Sequence, residues 1–369
     1  MALLTFSLFR TILCCRKMTY DLIRKGAKLL MARRKVTIQE LSQYCGVSTA
    51  TISRVINNNG HCSEKTRARV LKAVEEMGYI PDSNAKSLRT KSSHIVGIFI
   101  NELNHLMTTC LLAQLQQMLF KQGYTPIICE IGYSGVKEQY YFSMLQSINA
   151  CAIIVIMKQM GSDCLLEANI PVLFLYRNPL PGRIESNHIC VIQTDDYSVG
   201  TLAGQELLRL GCKHIAEIRV KNTDSRVPLG RHLGLLNCLF RSNMPYDESL
   251  EIVADSSEFS QLLEAINQKL DQGYVADGYF CVNDILALAL IRALEVHGYR
   301  IPEQVKVIGC NDSAIALYNN KQITSIQHSV PEMCAATVDM LKRMLSHEQL
   351  SENDRIQTFP VSLVRRATS

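Results

Sequence analysis

Between residues 36 and 81 the sequence carries three short amphipathic patterns around a glycine turn, and few small folds accept that spacing. Thr37-Ile38-Gln39-Glu40 is a capping box: the Thr37 hydroxyl can accept from the backbone N–H of Glu40, and the Glu40 carboxylate can reach back to that of Thr37. Ile38, Leu41 and Cys45 then share one helical face, and Gly46 ends the helix where a left-handed backbone is easiest. Ser48 can cap a second helix with Ile52, Val55 and Ile56 as its buried stripe. A third begins at Ser63-Glu64-Lys65-Thr66, buries Val70, Val74 and Met77, and stops at Gly78 and Pro81.

The second helix leaves Thr49, Ala50, Ser53 and Arg54 outside. Small polar residues at an N-terminus with a long cation one turn later suit insertion into a DNA major groove. Arg54 can be bidentate to guanine O6 and N7, and the Ala50 methyl can meet a thymine methyl. Charge supports this. The net +5 of the chain divides into 17 Lys/Arg against 6 Asp/Glu over residues 1–91 and 22 against 28 over residues 92–369. A basic front on an acidic body suits a polyanionic partner, although a solvated charged face would carry the same count.

The 14 cysteines are scattered, with no C-x-x-C pair, so no metal site or disulfide framework is expected and the thiols are read as buried in a reducing cytoplasm. No apolar run is long enough for a membrane span, and Arg10 interrupts the apolar start with no small-residue cleavage site after it. Met31-Ala32-Arg33-Arg34-Lys35 reads like a natural start, and the codons of Arg24-Lys25-Gly26-Ala27 can form a purine-rich run resembling a ribosome-binding site. Residues 1–30 are thus either an upstream extension that is not translated or a basic arm.

Past the polar linker Thr90-Lys91-Ser92-Ser93 the period changes. Strands are expected at 95–100, 126–131, 151–157, 171–175, 189–193, 214–220, 278–282 and 305–309, with helical stretches between, the first at 106–122. Such alternation implies an α/β body with parallel sheets covered on both faces. No G-x-G-x-x-G, phosphate loop, nucleophile–base pair or metal spacing occurs, so neither a cofactor nor an enzyme activity is expected.

Val36-Thr37-Ile38-Gln39-Glu40-Leu41, Gly46-Val47-Ser48, Thr51-Ile52-Ser53-Arg54-Val55-Ile56-Asn57, Ser63-Glu64-Lys65-Thr66-Arg67 and Gly78-Tyr79-Ile80-Pro81 closely resemble the head of the lac repressor family. The resemblance implies a helix-turn-helix head over 31–81 and a hinge helix and linker over 82–93. It marks Thr37, Ser48, Thr49, Ala50, Ser53, Arg54 and Asn57 as DNA-facing, and Leu88 as the leucine wedged into the minor groove at the operator centre. It continues through Asp195-Asp196-Tyr197, Arg231-His232-Leu233-Gly234, Asn283-Asp284 and Gly309-Cys310-Asn311-Asp312. That implies a type I periplasmic-binding-protein-like core of two lobes, the first 94–192 with 325–354 and the second 193–324 with 355–369.

By the same resemblance the cleft between the lobes carries His105, Thr108, Tyr176, Arg231, Asn283, Asn311 and His328. Tyr176 and Asn311 stand where aspartates are usual and His328 where glutamine is frequent, so two carboxylates are lost. Paired polar side chains suit a sugar-like effector, and Arg231 beside His105 suits a sugar acid or sugar phosphate. The implied protein is a cytoplasmic, effector-controlled repressor, acting as a homodimer on a pseudo-palindromic operator in double-stranded DNA. A solute-binding protein of the same core fold would explain the body but not the head, and an α/β enzyme would explain neither the head nor the missing catalytic groups.

Overall fold

A computed structural model describes residues 36–56, 62–79, 93–156, 163–177, 186–221, 226–256 and 258–369. The chain divides into two compact units, residues 1–91 and 92–369. Residues 1–30, Asn57, the hinge segment and Leu88 lie outside the described residues.

In the first unit, helices α1 (Ile38–Cys45), α2 (Thr49–Ile56) and α3 (Glu64–Met77) enclose Leu41, Cys45, Ile52, Val55, Val70 and Ala73. The capping box forms in both directions: Glu40 N donates to Thr37 Oγ1 at 3.2 Å and Thr37 N to Glu40 Oε2 at 2.7 Å. Gly46 takes φ 61°, which L side chains adopt only at a cost, so the turn into α2 needs it. Thr51 N donates to Ser48 Oγ at 3.2 Å, starting α2, and Thr66 N to Ser63 Oγ at 3.3 Å, starting α3.

The second unit contains two six-stranded sheets. Its elements run β1 (Ile95–Ile100), α4 (Leu106–Lys121), β2 (Thr125–Glu130), α5 (Gly135–Ser147), β3 (Ala152–Ile156), α6 (Asp163–Leu166), β4 (Val172–Tyr176) and β5 (Ile189–Thr194). Then come α7 (Asp196–Arg209), β6 (Ile215–Val220), α8 (Arg226–Arg241), β7 (Ile252–Ala254), α9 (Phe259–Asp271), β8 (Gly278–Cys281) and α10 (Asp284–Val296). The chain closes with β9 (Lys306–Cys310), α11 (Ala314–Tyr318), β10 (Thr324–His328), α12 (Val330–Leu345), α13 (Glu352–Arg355), β11 (Ile356–Phe359) and β12 (Val361–Val364). One sheet runs β11-β5-β4-β3-β1-β2 and is parallel throughout; the other runs β12-β10-β9-β8-β6-β7 and is parallel except where β12 meets β10. Both faces of each sheet are covered by apolar clusters, which is why strands such as β3 and β4 are apolar at every position.

The sheets correct the expected lobe boundaries. β5 and β11 belong to the first sheet and β10 and β12 to the second, so the chain crosses near Asp195, Ser329 and Pro360, each a few residues beyond the expected 192, 324 and 354. Helix α12 packs Met333, Cys334 and Leu341 into the first-lobe core. Strands β7, β10, β11 and β12 were not expected. β11 and β12 are half-buried edge strands without an apolar run, β7 has three residues, and β10 (Thr-Ser-Ile-Gln-His) is polar in sequence yet largely buried.

Candidate functional site

In open parallel sheets, ligand crevices lie beyond the carboxyl ends of the strands. Here those ends bring together Tyr176 (end of β4), Thr194 (end of β5), Cys310 and Asn311 (end of β9) and His328 (end of β10). Arg231 joins them from α8. The close approach of α8 to α7 depends on two glycines: a Cβ on Gly200 would stand 1.8 Å from the Arg231 carbonyl oxygen, and one on Gly234 2.0 Å from that of Tyr197. Their absence lets the helices meet backbone to backbone and sets Arg231 against Asp196 in the first turn of α7.

Arg231 is 4% exposed and its guanidinium has three partners. Nε donates to Asp196 Oδ1 at 2.7 Å, Nη1 to the Val282 carbonyl at 2.6 Å and Nη2 to the Tyr176 hydroxyl at 3.1 Å. The Tyr176 oxygen lies 3.2 Å from Asn311 Oδ1 and 2.9 Å from His328 Nε2. His328 Nδ1 lies 2.7 Å from Thr194 Oγ1. Burial first, then the charges of Arg231 and Arg177, hold the His328 pKa well below its ordinary value. The neutral ring can accept from Tyr176 at Nε2 while Nδ1–H donates to Thr194. Burial likewise raises the Tyr176 pKa, keeping the phenol protonated. Tyr176 at φ 81° and Asn311 at φ 99° both occupy the left-handed region, a strain of about 1–3 kcal/mol each that the network holds in place.

Beside this network lies a cavity of about 190 Å³ whose lining includes Glu102, Asn104, His105, Asn283, Asn311 and Ser313. Asn283 caps α10, accepting from Leu286 N at 2.9 Å. Asp284, 1% exposed, accepts from Ser325 Oγ at 2.6 Å and from Ser313 N at 2.7 Å, tying α10 to strand β10 and to the loop after β9. His105 stands at the start of α4 with Nδ1 buried and unpartnered; burial, then Arg177 and Arg231, lower its pKa to about 4. It is therefore neutral at pH 7 and makes a weaker cationic partner for an anion than a guanidinium does. Arg177 fits that role better: Nε is buried without a partner and its guanidinium carbon lies 5.9 Å from the Tyr176 ring centroid.

Of the expected effector residues, Tyr176, Arg231, Asn311 and His328 form one network, and His105, Asn283 and Asn311 line the cavity. Thr108 is buried on α4, 3% exposed, and does not line it. On the head, Thr37, Ser48, Thr49, Ala50 and Arg54 are exposed and Ser53 is half-buried.

A family model described as bacterial regulatory proteins, lacI family, matches residues 37–82, and one described as periplasmic binding protein-like domain matches residues 205–369. The chain carries a lacI-family DNA-binding domain followed by a periplasmic-binding-protein-like domain. It is a DNA-binding transcription regulator, and the solute-binding alternative leaves the head unexplained. The regulator is 28% identical over 329 residues to a sucrose operon repressor of Streptococcus mutans, covering 89% of this chain and 97% of that relative. It is also 28% identical over 342 residues to the repressor PurR of Yersinia pestis, covering 90% and 97%. A lac repressor dimer solved with operator and the anti-inducer ONPF aligns with TM-score 0.78 at 24% identity, over 91% of this chain and 99% of that one. The regulator CelR solved with cellobiose aligns with TM-score 0.66 at 23% identity, over 91% and 100%.

Sequence reasoning missed Arg177, Asp196, Thr194 and Cys310 as members of the regulator's site. Asp196 carried a signal, since the segment Asp195-Asp196-Tyr197 was already singled out and a buried arginine needs a carboxylate. Arg177 follows the end of β4 directly, where ligand-facing residues of parallel sheets concentrate.

Proposed function

We propose that the regulator is a repressor that binds a pseudo-palindromic operator as a homodimer and is switched by a sugar-like effector carrying an anionic group, held between the two lobes. The observation that carries the effector reading is the pair Arg177 and Arg231 at the meeting of β4 and α8: Arg231 is engaged by Asp196, Arg177 Nε is buried without a partner, and the carboxylates Glu102 and Asp284 lie along the cavity wall. Hydroxyl recognition falls to Asn104, His105, Asn283 and Asn311, whose donors and acceptors suit a polyol. Exposed Thr49, Ala50 and Arg54 on α2 supply base contacts, and one head reads too few base pairs to be selective alone. Relatives named for sucrose and purine regulation, and neighbours solved with cellobiose or operator, support both halves. No catalytic step is assigned to any residue.

The test pairs selection of operators from random DNA with a thermal-shift screen of sugars, sugar acids and sugar phosphates. An inverted repeat and a shift confined to anionic sugars are expected. A shift from neutral sugars alone would remove Arg177 from the ligand's partners.

A further inference from the structure

Glu217, on β6, is 0% exposed, and only one of its oxygens is satisfied. His232 Nδ1 lies 2.6 Å from Oε2, while Oε1 is buried with no hydrogen-bond partner. Alternation along β6 turns Glu217 away from Ala216 and Ile218 and toward α8, beneath His232. Glu251 enters from the residue before β7. The imidazole nitrogen and one oxygen from each carboxylate all lie within 4.8 Å of one another. Arg219, two residues along β6, donates Nε to Glu251 Oε1 at 2.6 Å. Tyr246 closes the other side, its ring edge-on to His232 at 5.9 Å and its hydroxyl also buried without a partner. Buried carboxylate oxygens are rarely left in this state, because each forfeits its hydration with nothing in return.

We propose that Glu217, His232 and Glu251 form a binding site for a divalent first-row transition cation of the zinc class. One imidazole nitrogen with carboxylate oxygens suits zinc-like ions; calcium and magnesium prefer all-oxygen shells of six or more ligands. The cation replaces the proton shared between His232 and Glu217 and supplies the contact that Oε1 lacks. Arg219 keeps its hydrogen bond to one oxygen of Glu251 and orients the other, as outer partners of ligating carboxylates do. Its charge weakens attraction for a dication, so moderate affinity is expected. The side chains of His232 and Glu251 are 23% and 12% exposed, which gives the ion a route from solvent. The ligands come from a strand, a helix and a strand start, so no close sequence spacing announces them. His232 directly follows Arg231, so a bound cation would tie α8 to β6 next to the residue that grips Tyr176.

The experiment uses the full chain, stripped with a chelator and titrated calorimetrically with zinc chloride alone, beside Glu217→Gln, His232→Ala and Glu251→Gln. Thiols that bind zinc elsewhere are common to all four proteins and cancel in the comparison. Wild type is expected to take up one equivalent more than each variant, or to bind that equivalent at least about tenfold more tightly. Its melting midpoint should also rise with zinc by more than theirs. Glu251→Gln lies at a partly exposed position and keeps the comparison intact if a variant at Glu217 does not fold. Equal uptake and equal midpoints across the set would overturn the site and leave two ordinary ion pairs, Glu217–His232 and Glu251–Arg219.

Discussion

The Tyr176 hydroxyl accepts a hydrogen bond from Arg231 Nη2 at 3.1 Å, and through that single oxygen the last residue of β4 in one lobe meets α8 of the other. The same oxygen lies within reach of Asn311 and His328, so it joins four side chains from both sheets. A ligand entering between the lobes must compete with this contact or build upon it, which makes the hydroxyl a point where binding can shift the lobe arrangement.

Tyr176→Phe keeps the ring but takes its partner from Arg231 Nη2 and the nearest one from His328 Nε2, both in a buried place. Loss of stability by about 1–3 kcal/mol is expected, read from the urea midpoint at pH 7. An unchanged midpoint would mean that the hydroxyl does not join the lobes.

Arg231→Ala removes the ion-pair partner of Asp196, whose side chain is 14% exposed. The variant should lose its response to effector in fluorescence anisotropy on the operator, and it should also lose about 3–5 kcal/mol of stability. Arg231→Met with Asp196→Asn should recover much of the stability without the response. A double variant that still responds at the wild-type effector concentration would remove Arg231 from the switch.

Gly200→Ala forces a Cβ to 1.8 Å from the Arg231 carbonyl oxygen, so α7 and α8 must part. A cost above about 1–3 kcal/mol is expected, together with weaker effector binding as Arg231 is displaced. Thermal melts and an effector titration read both; wild-type behaviour in each would show that the helices slide apart freely.

Arg54→Ala should cost about 1–3 kcal/mol of operator affinity and relax preference at one base-pair position. Arg54 is exposed on α2, so folding stability should change by no more than about 0.5 kcal/mol. Equal affinity of variant and wild type for the selected operator would exclude the contact.

Glu206, 3% exposed on α7, accepts from Arg209 and from Arg365 at 2.7–2.9 Å, and these bonds hold its pKa down to about 2. A depressed folded-state pKa contributes stability above the ordinary carboxylate range and loses it as pH falls toward 2. The stability difference between wild type and Glu206→Gln should therefore be largest near pH 7 and shrink between pH 5 and 3. A difference independent of pH across denaturation curves would show that the two arginines contribute no net charge interaction.

The head was legible in the sequence because its determinants are local. Thr37 and Glu40 cap a helix three residues apart, Gly46 supplies the left-handed turn, and the buried faces repeat at helical spacing within each segment. The central strands were legible for a similar reason: a strand buried on both faces is apolar at every position, as in β3 and β4. Edge strands β11 and β12 lack that run and exist only because β5 and β10 offer them partners, so the crossings at Asp195, Ser329 and Pro360 could not be placed from composition. The site divides in the same way. Resemblance placed Tyr176, Arg231, Asn311 and His328 near one cleft, but which atoms satisfy which is a property of positions brought together from far apart in the chain. Arg231 engages Asp196, His105 is neutral beside two arginines, and Glu217 lies beneath His232, because sheet order and the α7–α8 approach set those neighbours. Local sequence determines which elements form; burial and charge at a site depend on what the packed elements place around it, and only the tertiary structure decides that.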